Sequence, residues 1–232
     1  MFRLPLSKQI VIAGIILILI SIQLPVSYGY QKSIALVMKA TGNAKLNRAN
    51  NRSWENFNVG TRLNSGDRIK TENNALVAIM FTDDKSLMKV RSQSLVTIQA
   101  KKEKQTVSKR IFASFGELWF KVKKGVRNFQ LETPSGVAAV KGTEFYAIVT
   151  KDGEMKIIGI EGIIQLFNKL GSVLVNAGQT GQIDEGKPAV EKSDPSQIPD
   201  WGEQAKNEKE LQLEFEDSDG NKKTLKIIFQ GQ

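Results

Sequence analysis

Nine basic side chains fall between residues 101 and 127: Lys101, Lys102, Lys104, Lys109, Arg110, Lys121, Lys123, Lys124 and Arg127. Only Glu103 and Glu117 oppose them, so this stretch carries a net charge of +7. The chemistry open to such a cluster is the binding of anions by solvated cations. Within it Leu118, Phe120 and Val122 alternate with Glu117, Trp119, Lys121 and Lys123, the period of a strand with one face on a core. If the apolar set faces inward, Trp119 shares the outer face with Lys121 and Lys123. A tryptophan beside cations suits an anionic or sugar-bearing partner. Trp119, Lys121, Lys123, Lys124 and Arg127 are therefore the candidate binding residues. The competing reading is that lysines on exposed strands keep sheets from associating edge to edge, and composition alone does not choose.

Other chemistry is narrowed by what the chain lacks. All 232 residues include no histidine and no cysteine. That removes imidazole bases, His or Cys metal sites, thiol nucleophiles, Ser-His-Asp triads, disulfides and lipidation through cysteine. Ser-Lys or paired-carboxylate chemistry stays formally open, but no spacing points to either. No catalytic, cofactor-binding or metal-binding residue is assigned, and no enzymatic activity is expected. Asp67, the pair Asp83-Asp84 and the run Asp217-Ser218-Asp219-Gly220-Asn221 have calcium-like composition. They read as turns whose side chains bond their own backbone, because the glycine of the last run comes too early for an EF-hand and no twelfth-position glutamate follows.

The elements that must carry these residues read as short strands. Thr133-Pro134 biases the chain to extended geometry, and Gly136 and Gly142 permit tight turns or close approach. Between them Val137 to Val140 is expected to be a strand buried on both faces. Ala75 to Phe81 is an uncharged run, hence another buried strand. Glu144 is the one charge in its surroundings and is expected to pair with Lys141 or a backbone turn. Glycines at 142, 153, 162, 171 and 178 recur every seven to eleven residues, a rhythm that fits stacked short strands as a β-helix-like solenoid or a sandwich.

The run from Phe129 to Phe145, F-x-L-x-T-P-S-G-V-A-A-V-K-G-T-E-F, resembles the core motif of FecR-type domains. Its motif residues here are Thr133, Pro134, Gly136, Lys141, Gly142, Thr143, Glu144 and Phe145. Gly66-Asp67-Arg68-Ile69-Lys70-Thr71 is similar to the family's opening motif, and Glu161-Gly162 and Ala177-Gly178-Gln179 to its later turns. The resemblance covers roughly residues 35 to 183. Lys141 departs from it, since the family usually has arginine there and lysine lacks the planar fork. The resemblance implies an exported, non-enzymatic, all-β domain shaped as a β-helix-like stack, often part of an envelope sensor.

Four segments are expected. Residues 1–29 read as a secretory signal peptide: Arg3 and Lys8 precede an apolar run from Ile10 to Ile22, then Pro25 and the small residues Ser27 and Gly29 set up cleavage before Tyr30. A retained signal would tether the protein to the membrane. Residues 30–185 form the all-β domain, 186–199 a linker, and 200–232 a short helix followed by a β-hairpin. Removing the first 29 residues leaves 31 basic against 24 acidic side chains, a net of +7; outside residues 101–127 the exported chain balances to zero. The expected partner is an envelope protein, an anionic polysaccharide or lipid head groups. Nucleic acid is rejected because export removes the chain from it and no recognition motif is present. Direct capture of a sigma factor is disfavoured, because only about eight residues precede the apolar run.

Overall fold

The computed structural model describes residues 33–102, 106–201, 210–216 and 222–228. The expected signal segment lies outside them, as does most of the expected short helix after residue 200. The chain order begins β1 (Ala35–Thr41), β2 (Ala44–Asn47), β3 (Arg62–Leu63), β4 (Arg68–Thr71), β5 (Leu76–Phe81) and β6 (Leu87–Val90). The centre holds β7 (Ser94–Lys102), the long β8 (Val107–Lys121), β9 (Phe129–Glu132) and β10 (Val137–Val140). Then follow β11 (Glu144–Val149), β12 (Met155–Glu161), β13 (Ile163–Asn168), β14 (Gly171–Asn176), β15 (Gln179–Ile183) and β16 (Ala189–Lys192). A 3₁₀ turn at Pro195–Gln197 precedes β17 (Glu210–Glu216) and β18 (Lys222–Ile228).

Two sheets face one another across a single core. One runs β3-β1-β5-β6-β8-β11-β12-β15-β16; the other runs β2-β4-β7-β8-β9-β10-β13-β14. After β10 the chain lays down antiparallel hairpins in alternate layers: β11-β12 in the first, β13-β14 in the second, β15-β16 back in the first. The fold is therefore all-β and a β-helix-like stack of short strands. Unlike a parallel solenoid its rungs are hairpins, and β8 with β9 is the one parallel pairing among the described strands.

β8 belongs to both sheets. Its first half pairs with β7 and β9, its second half with β6 and β11. The change of layer falls at Gly116, whose φ is +130°, beside the register shift between Leu95 and Val96 of the partner strand. A side chain there would sit 2.2 Å from Ser94 Oγ and 2.7 Å from Ser94 Cα. A bulge closed by glycine is how a strand leaves one sheet for another without a clash.

The core is apolar because each layer buries one face of alternating strands. In β8 Ile111, Ala113, Leu118 and Phe120 point inward, as does Val122 just beyond it. Phe81, Phe120, Phe129 and Phe145 join the layers: Phe120 stacks on Phe145 at 4.9 Å and meets Phe129 edge-on at 5.9 Å, while Phe81 meets Phe129 at 5.6 Å. Burying each ring contributes roughly 1.5–3 kcal/mol relative to exposure. β5 is buried along almost its whole length, as its uncharged run requires.

Two expectations change. β10 is not buried on both faces: Ala138 and Val140 face the core while Val137 and Ala139 are half-buried. The second sheet is a single layer with an outer side, so each of its strands needs only one apolar face. Residues 189–192, inside the expected linker, form β16 and extend the first sheet beside β15. At the C-terminus the expected hairpin forms, its register setting Glu216 opposite Lys222 and Gln212 opposite Lys226. Among the described residues no helix is long and apolar enough to cross a membrane.

Candidate functional site

The basic segment is folded into three different settings. Lys109 is buried, with a side chain only 1% exposed, and its ammonium lies 2.7 Å from Asp83 Oδ2 and against Asp84 Oδ2. The Phe81 ring lies below it at 5.4 Å. Arg110, Lys121 and Lys124 are exposed but matched by carboxylates: Glu132 at 3.4 Å, Glu144 at 2.9 Å and Glu161 at 3.1 Å. Lys102, Lys123 and Arg127 are exposed and have no ion-pair partner among the described residues. Glu144 thus pairs with Lys121 and not with Lys141, which corrects the expectation. The register explains it, because β11 sets Glu144 directly across from Lys121 of β8 while Lys141 turns outward into solvent.

The loop after β8 is held firmly. Val122 and Val126 are buried beneath it. The Val122 N–H donates to Thr143 O at 2.8 Å, and the Lys123 N–H donates to Ser86 Oγ at 3.1 Å. The Val126 N–H closes a turn on Lys123 O at 3.3 Å. Gly125, at φ +88°, occupies the third position of that turn, which requires the left-handed region and hence glycine in a type II turn. Asp84 ties the neighbouring turn to this loop: its Oδ1 accepts from the Ser86 N–H at 2.8 Å, and Ser86 in turn holds Lys123. Asp83-Asp84 is thus both a turn bonding its own backbone and the counterion of a buried lysine. Asp67 likewise bonds turn backbone, accepting from the Asn64 and Ala49 N–H groups, and it pairs with Arg48 at 3.0 Å.

Between this loop and the start of β8 opens a cleft of about 530 Å³, lined by Asp83, Asp84, Lys102, Thr106, Val107, Lys123, Lys124, Gly125, Val126 and Arg127. The fold therefore brings together Lys123, Lys124 and Arg127 of the candidate residues and adds Lys102. Trp119 and Lys121 lie elsewhere. Trp119 is half-buried between its strand neighbours Lys89 and Tyr146, with the Lys89 ammonium 5.1 Å from its ring centre. Alternation placed Trp119 and Lys121 on the outer side, and the structure agrees, but Lys123 has already left the strand for the loop.

The Thr133–Gly136 motif lies at the other end of β9. There the Thr133 N–H and Oγ1 both donate to Gly136 O, at 2.9 and 3.1 Å, and Pro134 caps the bend. These residues line a second cleft of about 790 Å³, rimmed by Glu132, Asp152, Glu154, Asp184 and Glu185. Gly142, Thr143 and Phe145 serve the first end: Thr143 receives the Val122 bond, and Phe145 is fully buried under it.

A third cluster had no signal in local sequence. Trp201 donates its indole N–H to Glu117 Oε1, and Glu117 also takes Arg91 Nη1 at 2.9 Å. The Trp201 ring meets Tyr146 edge-on at 5.7 Å. Burial, then the charges of Glu144, Glu117 and Asp200, raise the Tyr146 hydroxyl above its ordinary pKa.

A family model described as FecR protein matches residues 67–165, from the turn before β4 to the middle of β13. Nothing among curated proteins matches the sequence. Two crystal structures of a candidate anti-sigma factor from Parabacteroides distasonis ATCC 8503, at 1.65 and 2.50 Å resolution, align with a TM-score of 0.48 and 12% identity. The alignment covers 56% of this chain and 62% of theirs, so the chain spans about three fifths of the length of those proteins. By its motifs and the matched range, this chain carries a FecR-type domain.

Proposed function

We propose that the protein is an exported, non-catalytic module of the cell envelope that takes part in cell-surface signalling by holding an anionic partner at the basic end of its FecR-type stack. The observation that carries this reading is the segregation of charge. Among the described residues Lys102, Lys123 and Arg127 stand without carboxylate partners around one firmly held loop, while the neighbouring lysines are neutralised in pairs. Cations needed only for solubility gain nothing from being gathered in one concave place. The signalling role rests on the FecR-type domain, and export on the segment before Tyr30.

The test is retention of the purified protein on isolated envelope material. Retention is expected at low ionic strength and is expected to fall with added salt, since exposed charges are screened beyond about 8 Å at physiological ionic strength. The variant Lys123→Glu/Arg127→Glu should be released where the parent is held. Equal retention of both proteins at low salt would remove the basic end as the contact.

A further inference from the structure

The cleft beside β8 has a feature that narrows its ligand. Its cations converge from two unconnected parts of the chain: Lys102 ends β7, while Lys123, Lys124 and Arg127 come from the loop after β8. The loop is fixed before any ligand arrives, by two buried valines, by the Lys123 N–H bond to Ser86 and by the type II turn at Gly125. A loop already ordered loses little entropy on binding. The carboxylates in the wall are already engaged. Asp83 and Asp84 share the single ammonium of the buried Lys109, so they leave one net negative charge beside the opening, and the three cations of Lys102, Lys123 and Arg127 outweigh it.

Resting on the anionic-partner reading above, we propose that this cleft is a phosphate-binding site. Three cations without ion-pair partners among the described residues, with Lys124 beside them, crowd around about 530 Å³. A carboxylate offers two oxygens and one charge, whereas a phosphate offers three acceptor oxygens and up to two charges, enough to engage Arg127 and two lysines together. Arg127 supplies a planar fork and the lysines supply mobile point charges. Trp119 lies outside the cleft and Val107 and Val126 are its apolar lining, so the cleft has no aromatic platform on which a neutral sugar ring would stack. A phosphomonoester of this kind reaches an envelope protein from two sources, a phosphorylated glycan or the monoester head group of phosphatidic acid. The chemistry at the cleft is the same for both.

The experiment titrates the protein with inorganic phosphate while backbone amide resonances are followed by NMR, with polygalacturonate as the carboxylate-only comparison. Saturable shifts are expected at Lys102, Lys123, Gly125 and Arg127, with binding roughly tenfold weaker or more in Lys123→Glu/Arg127→Glu. The control Lys151→Glu/Lys187→Glu makes the same change in net charge at exposed positions outside the cleft, and should bind as the parent does. Both pairs are exposed, so unchanged amide dispersion will show that each variant is folded. Co-sedimentation with vesicles of phosphatidic acid and phosphatidylcholine, against phosphatidylcholine alone, then assigns the source: capture by the first only means a lipid head group, and no capture means a soluble or glycan-borne phosphate. Shifts with polygalacturonate but none with phosphate would overturn the ligand class while leaving the envelope-binding reading intact. Phosphate shifts of equal size in the cleft and control variants would overturn the site.

Discussion

Replacing Lys109 with methionine tests whether the buried ammonium is what joins the Asp83-Asp84 turn to the core. The side chain keeps its length and its contact with Phe81, so the packing loss is small. What changes is electrostatic. Both carboxylates touch one ammonium, so their oxygens lie no more than about 5 Å apart, and two like charges at ~5 Å with an effective dielectric of about 20 repel by roughly 3 kcal/mol. Asp83 is 33% exposed and Asp84 17%, so water screens part of that repulsion. The expected net loss is about 2–3 kcal/mol, at or below the usual range for breaking a buried pair. Urea unfolding followed by circular dichroism measures it. Adding Asp83→Asn and Asp84→Asn to Lys109→Met should return most of the loss, because the repulsion is then gone. A single variant within about 0.5 kcal/mol of the parent, or a triple variant no more stable than the single, would refute the reasoning.

Gly116→Ala should cost about 3 kcal/mol or more, since its Cβ would overlap Ser94 and its φ of +130° is closed to alanine; thermal melting at the parent temperature would mean that β8 does not change layers there. Tyr146 titrates above its ordinary pKa of 10.0 because it is buried near carboxylates. The folded state therefore holds the phenolic proton more tightly than the unfolded state, and the associated stability is complete below pH 10 and is lost as pH rises through the folded value. Tyr146→Phe should flatten the alkaline fall in stability, and an unchanged pH profile would sink that assignment. Mass spectrometry of the exported protein should find Tyr30 as its first residue; an intact Met1 in the envelope fraction would mean a retained anchor.

Much of the fold was legible because it rests on local periodicity. Leu118, Phe120 and Val122 alternate as a half-buried strand must, and the turn glycines at 142, 153, 162 and 178 all take positive φ. The site was only half legible. Lys123, Lys124 and Arg127 cluster in sequence and in space, but Lys109 looked like one more member of the same charge run. Its burial depends on Asp83 and Asp84, more than twenty residues away, and on where β8 crosses from one sheet to the other. Lys102 belongs to the cleft because it pairs with Val107 at the start of β8, and that end of β8 runs parallel to β9, whose first residue follows the loop. The contact of Trp201 with Glu117 spans 84 residues and leaves no pattern in either neighbourhood. Charge and alternation report which side of a strand a residue takes. They do not report which strand will lie opposite.

The sharing of β8 also sets an order of assembly. A chain is delivered N-terminus first, and β5 and β6 emerge with Phe81, Ile79 and Met88 destined for the core. Neither sheet can join the two halves of its length until β8 has emerged through Lys121, since it lies between β6 and β11 in one layer and between β7 and β9 in the other. Until then β6 in one layer and β7 in the other each lack the strand that covers their edge, and those edges are as open to pairing with a neighbouring chain as with their own. Once β8 is in place each later hairpin adds to a finished edge, and the interval of exposure ends.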